Sequence, residues 1–124
     1  MEMLPEMGLL QKLQCLWPDD IRQAFGKDET LRRRCEQAYT MESYHFLSSL
    51  INLATNLKET PEDQVDLIQR LYFGDNAPFQ INLDYQLEQA VLQNIYATTD
   101  MSREQYVVIF IDAGNEIAML LFQS

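Results

Sequence analysis

The most apolar part of the chain reads QYVVIFIDAGNEIAMLLFQ, residues 105–123. Residues 105–112 and 116–123 are rich in β-branched and aromatic side chains, which strands favour. Between them lie Gly114 and Asn115, two residue types that tolerate the positive φ of a tight reversal. The sequence therefore predicts a C-terminal antiparallel β-hairpin. Because neither strand alternates apolar with polar residues, both faces of the hairpin need cover, either from the chain's own helices or from a second copy.

Upstream of the hairpin, apolar residues recur at three- and four-residue steps, the spacing of amphipathic helices. Thr60 before Pro61 and Gly74 after Phe73 are good start and stop signals for one of these helices. The longest helical pattern covers residues 29–58, which is longer than most helices, so a break near Thr40 is left open. The helices are predicted at 5–16, 19–25, 29–58, 61–73 and 84–97.

Residues 79–83 alternate apolar and polar side chains, which favours a third short strand. Most helices precede the strands, and this order argues against a doubly wound parallel sheet. The predicted fold is a single α+β domain over 1–124, with four to five helices followed by the hairpin.

Length and composition place the chain among ordinary globular domains. It has 124 residues, 47% of them hydrophobic and 23% charged, which is enough to bury a core without staples. No uninterrupted apolar run reaches membrane-span length, and the N-terminus lacks the basic segment of a secretory signal. The two cysteines, Cys15 and Cys35, provide neither a disulfide framework nor a zinc site. We therefore expect a cytoplasmic domain without membrane association.

The net charge of −10 is distributed unevenly along the chain. Residues 1–34 carry six acidic and six basic side chains, whereas residues 35–124 carry thirteen acidic side chains against Lys58, Arg70 and Arg103. Such a field repels phosphate backbones and attracts basic partners. The charge pattern predicts a basic protein partner and disfavours nucleic acid.

No motif in the chain carries recognisable chemistry. Glu42 and His45 stand one helical turn apart, as metal-binding pairs do, but His45 is the only histidine and a di-iron site needs two such pairs. Cys35 and His45 are predicted about 15 Å apart along one helix, too far for a nucleophilic pair. We predict no enzyme activity, no catalytic or metal-binding residues and no cofactor.

Aromatic residues beside acidic ones indicate where a partner would bind. Tyr72 and Phe73 supply large apolar side chains of the kind enriched at interfaces, and an acidic stretch flanks them. The predicted partner-binding residues are Glu59, Glu62, Asp63, Asp66, Tyr72, Phe73 and Asp75.

Two functions are compatible with these observations. The leading hypothesis is a non-catalytic acidic protein-binding module that covers a basic partner surface, as an inhibitor, an immunity-type protein or a nucleic-acid mimic would. The alternative is an oligomeric structural or chaperone-like subunit, a homodimer that assembles through the C-terminal hairpin.

Overall fold

The computed structural model describes residues 5–25, 30–38, 40–97 and 100–123. Within these residues every regular element is a helix, so the predicted α+β class is wrong. The helices are α1 (Pro5–Leu13), α2 (Asp19–Ala24), α3 (Thr30–Ala38), α4 (Met41–Thr55), α5 (Pro61–Tyr72), α6 (Tyr85–Ala97) and α7 (Arg103–Gln123).

The segment predicted as a hairpin is the central helix of the bundle. α7 runs without interruption for 21 residues and packs against α1, α2, α4, α5 and α6. Its buried side chains follow three- and four-residue steps, which is the helical period rather than the strand period. Burial on one side of a helix thus overrides the strand preference of its β-branched residues. The buried residues are Tyr106, Val107, Phe110, Ala113, Gly114, Ile117, Ala118 and Leu121.

Gly114 lies inside this helix and makes no turn. A Cβ atom placed on it would come within 3.1 Å of Leu50 Cδ1 on α4 and 3.5 Å of Trp17 Nε1. The glycine therefore allows α4 and the Trp17 indole to pack directly against the α7 backbone. This close approach is the reason for a glycine here, where the sequence predicts a tight reversal.

α7 is also long and apolar enough to cross a membrane, judged by length and composition. Its most apolar 18-residue window has a mean hydropathy of 1.4, and 44% of that window is buried inside the bundle. The core helix of a bundle meets the same criterion. Five other helices cover one side of α7, and its large exposed apolar residues are Val108, Met119, Leu120 and Phe122.

The third strand predicted at 79–83 is also absent, since these residues adopt an irregular extended path. The backbone N–H of Phe79 donates to the Leu71 carbonyl at 2.9 Å, and that of Ile81 donates to the Tyr72 carbonyl at 3.2 Å. The segment therefore folds back along the end of α5. Its alternation reflects the burial of Ile81 against the core while its polar neighbours face solvent.

The long helix predicted at 29–58 is two helices, α3 and α4, with the break near Thr40 that the sequence left open. Thr40 has φ −121° and ψ 33°, and its N–H donates to the Cys35 carbonyl at 2.9 Å. Helices α1, α2, α5 and α6 begin within one residue of the predicted positions and end up to three residues earlier.

α5 has the most complete start signal in the chain. Pro61 occupies its first turn, and the Thr60 side chain accepts a hydrogen bond from the Asp63 N–H at 3.2 Å. At the other end Gly74 adopts φ 96°, a left-handed conformation that glycine takes without strain.

The substitution Thr60→Ala is expected to lower the free energy of unfolding by about 1 kcal/mol, because one N–H of the first turn loses its acceptor. Thr60→Ser keeps the acceptor and is expected to lose less than half as much. Urea unfolding monitored by circular dichroism measures both values. Equal losses for the two variants would contradict the capping role.

Candidate functional site

The outer side of α5 carries a group of acidic residues. Gln64, Val65, Ile68 and Tyr72 form the buried side of the helix, at three- and four-residue steps. Glu62, Asp63 and Asp66 lie on the opposite side and are exposed, as is Glu59 in the preceding loop. We call Glu59, Glu62, Asp63 and Asp66 the acidic face.

The acidic face is only partly neutralised by bases. Asp66 pairs with Arg70 at 3.1 Å, but both side chains are about two-thirds exposed, and such i,i+4 pairs contribute a few tenths of a kcal/mol. Lys58 forms no ion pair with a described residue. The carboxylates therefore remain available to an external cation.

Arg103, the remaining base of this region, is held beneath the acidic face by neutral oxygens. Its guanidinium donates to the Leu53 carbonyl at 2.7 Å, the Gln64 Oε1 at 2.6 Å and the Glu59 carbonyl at 2.6 Å. The buried Gln64 amide donates in turn to the carbonyls of Asn52 and Asn56, each at 3.3 Å. This network fixes the start of α5 to the end of α4 and the start of α7.

Tyr106 connects α7 to the same region. Burial raises the pKa of its hydroxyl, and the negative charges of Glu62 and Asp100 raise that pKa further. Glu62 and Asp100 therefore lie near one phenol, although 38 residues separate them in sequence. The acidic character thus extends from α5 to the residues just before α7.

The predicted partner-binding residues divide into three groups. Glu59, Glu62, Asp63 and Asp66 are exposed together, as described above. Asp75 is also exposed, but it follows the opposite end of α5, a helix of 12 residues and hence about 18 Å long.

Tyr72 and Phe73 do not face solvent, because they are only 3% and 7% exposed. Tyr72 belongs to the buried side of α5, and its hydroxyl lies 2.9 Å from the Ser49 Oγ. Phe73 packs edge-on against Phe46 and Phe110, with ring centroids 6.0 and 6.2 Å away. In this fold the two aromatic residues stabilise the core and cannot act as surface anchors.

Sequence reasoning missed two apolar residues beside the acidic face. Leu67 is 47% exposed on α5, and Leu57 is 53% exposed in the loop before it. Leu67 falls off the buried stripe of Val65, Ile68 and Tyr72, so the helical period could have identified it. Leu57 and Leu67, and not Tyr72 and Phe73, are therefore the large apolar side chains exposed in this region.

The described residues contain no group of three or more His, Cys, Asp or Glu side chains that could hold a metal ion. His45 is exposed, and Cys35 is buried, with burial raising the pKa of its thiol. A raised thiol pKa means less thiolate at neutral pH, and thiolate is the nucleophilic form.

Comparison of the chain with protein-family models, with curated proteins and with solved structures finds no match.

Proposed function

We propose that the chain is a non-catalytic protein-binding module whose acidic face covers a basic surface of a partner. The observation that carries the proposal is the grouping of Glu62, Asp63 and Asp66 on the solvent side of one helix, with Leu67 exposed beside them. Inhibitors, immunity-type proteins and nucleic-acid mimics are the classes that such a surface suits.

Charge and apolar contact have separate roles in this proposal. The excess negative charge of residues 35–124 steers a basic partner toward the domain and speeds association, an effect that salt screens. Leu57 and Leu67 become buried on contact, and the apolar area they remove from water adds to the affinity.

The fixed position of α5 also favours binding. The Thr60 cap and the bonds of Gln64 and Arg103 hold the start of α5 in place before any partner arrives. A surface that is already ordered loses less conformational entropy on association, which leaves more of the contact energy for affinity.

Assembly through a C-terminal hairpin is not proposed, since residues 105–123 belong to the helix α7. The sheet edge that motivated a homodimer does not occur among the described residues.

The test is affinity capture with a variant that removes three charges from the acidic face. The variant combines Glu62→Gln, Asp63→Asn and Asp66→Asn, and the immobilised protein is incubated with native lysate at low salt. We expect wild type to retain basic proteins and the variant to retain about tenfold less of them, since three exposed charge pairs at about 0.2–1 kcal/mol each are lost together.

A charge-matched control separates the acidic face from net charge. Asp20→Asn, Glu36→Gln and Asp112→Asn remove the same three charges from exposed positions on α2, α3 and α7. This control is expected to bind like wild type. Equal losses in both variants, or captured proteins that are acidic, would contradict the proposal.

A further inference from the structure

A groove lies at the end of the bundle opposite the acidic face. Its volume is about 340 Å³, within the range of pockets that hold a side chain or a small molecule. Three separate parts of the chain form its walls: the start of α4, the extended segment 79–83 and the last turns of α7. The lining residues are Thr40, Glu42, Ser43, Gln80, Asn82, Leu120 and Leu121.

Glu42 is the only charged residue in this lining. It is half-buried and forms no ion pair with a described residue. Gln80 and Asn82 add side-chain amide oxygens, and Thr40 and Ser43 add hydroxyl oxygens. The groove thus combines one carboxylate with several neutral acceptors, a set that suits a cationic hydrogen-bond donor.

The C-terminal end of α7 already holds a guanidinium of this chain. The last carbonyls of a helix carry partial negative charge, which favours cations nearby. The Arg34 guanidinium of this chain donates to the Leu121 carbonyl at 3.3 Å, so one guanidinium already lies at this helix end.

We infer that this groove binds the guanidinium group of an arginine side chain on a protein partner. A guanidinium is planar and carries five N–H donors, so it can pair with Glu42 and donate to the amide oxygens of Gln80 or Asn82. A lysine ammonium has three donors and no flat face, so it matches this set less well.

The inference deepens the proposed function by naming a residue type on the basic partner. The groove lies at the start of α4 and the acidic face beyond its end, about 22 Å away along a helix of 15 residues. Because the two sites share no residue, one can fail a test while the other passes.

The test is an NMR titration of the ¹⁵N-labelled protein with N-acetyl-arginine amide. We expect saturable shifts of the backbone amides of Ser43, Gln80 and Asn82. N-acetyl-citrulline amide has nearly the same shape without the charge, and we expect it to bind at least about tenfold more weakly. N-acetyl-lysine amide is expected to fall between the two.

Two matched variants test the role of Glu42. Glu42→Gln is expected to raise the dissociation constant for the arginine compound at least about tenfold. Asp112→Asn is expected to leave that dissociation constant unchanged. Equal affinity for arginine and citrulline compounds in wild type would overturn the inference. Shifts confined to Glu62, Asp63 and Asp66 would also overturn it, while leaving the proposed acidic face intact.

Discussion

Replacing Phe110 by alanine is expected to lower the free energy of unfolding by about 3–5 kcal/mol. Phe110 is fully buried on α7, and its ring packs edge-on against Phe73 with centroids 6.2 Å apart. Phe73 in turn contacts Phe46, so the substitution opens a cavity inside an aromatic cluster of the core. Urea unfolding followed by tryptophan fluorescence and circular dichroism measures the loss.

Val108 gives this prediction a control that also tests the helix. Positions 108 and 110 would share one face of a strand, but on a helix they point about 200° apart. Val108 is 50% exposed whereas Phe110 is buried, as the helix requires. Val108→Ala is therefore expected to cost less than about 1 kcal/mol. Similar losses of unfolding free energy for Phe110→Ala and Val108→Ala would contradict a helix that buries position 110 and exposes position 108.

Replacing Arg103 by methionine is expected to lower the free energy of unfolding by about 2–3 kcal/mol. The substitution keeps most of the side-chain volume and removes the donors that satisfy Gln64 Oε1 and the carbonyls of Leu53 and Glu59. Because Gln64 is buried, its oxygen cannot turn to water instead. Chemical denaturation of the purified variant gives the value.

Arg70→Met provides the comparison for Arg103. Among the residues that the structure describes, Arg70 pairs only with the exposed Asp66, so its loss is expected to change stability by less than about 0.5 kcal/mol. Arg103→Lys keeps the charge with fewer donors and is expected to fall between the two methionine variants. A loss for Arg103→Met as small as that for Arg70→Met would show that the network does not hold α5.

Helices α1, α2, α5 and α6 could be predicted closely because local signals mark their ends. Thr60 and Pro61 begin α5, Gly74 follows it, and the Asp84 carboxylate accepts a hydrogen bond from the Leu87 N–H at 3.2 Å. Such signals act within a few residues, so they do not depend on the rest of the fold.

The C-terminal helix could not be predicted from composition because its partners lie far away in sequence. Val107, Ile109 and Ile111 favour strands locally, and Gly114 with Asn115 imitates a turn. The burial of one side of α7 against five other helices outweighs these preferences. A signal was nonetheless present, since buried residues from Tyr106 to Leu121 recur at the helical period.

Part of the candidate site could be predicted from local sequence. The carboxylates of the acidic face follow from composition and from the helical period of α5. Tyr72 and Phe73 were predicted as exposed anchors, but both are buried, and Tyr72 lies in register with Val65 and Ile68 on the core side of α5. The groove could not be predicted, because its walls come from three parts of the chain that only the tertiary fold brings together.

Both the acidic face and the groove depend on α7. Arg103 at the start of α7 holds α5, and the last turns of α7 form one wall of the groove. The most direct test is the set of ¹³Cα secondary chemical shifts over residues 103–123 of the wild-type protein in solution. A single continuous helix predicts positive values throughout, including residues 112–116. Negative values on both sides of a break at residues 113–115 would restore the hairpin and contradict the account.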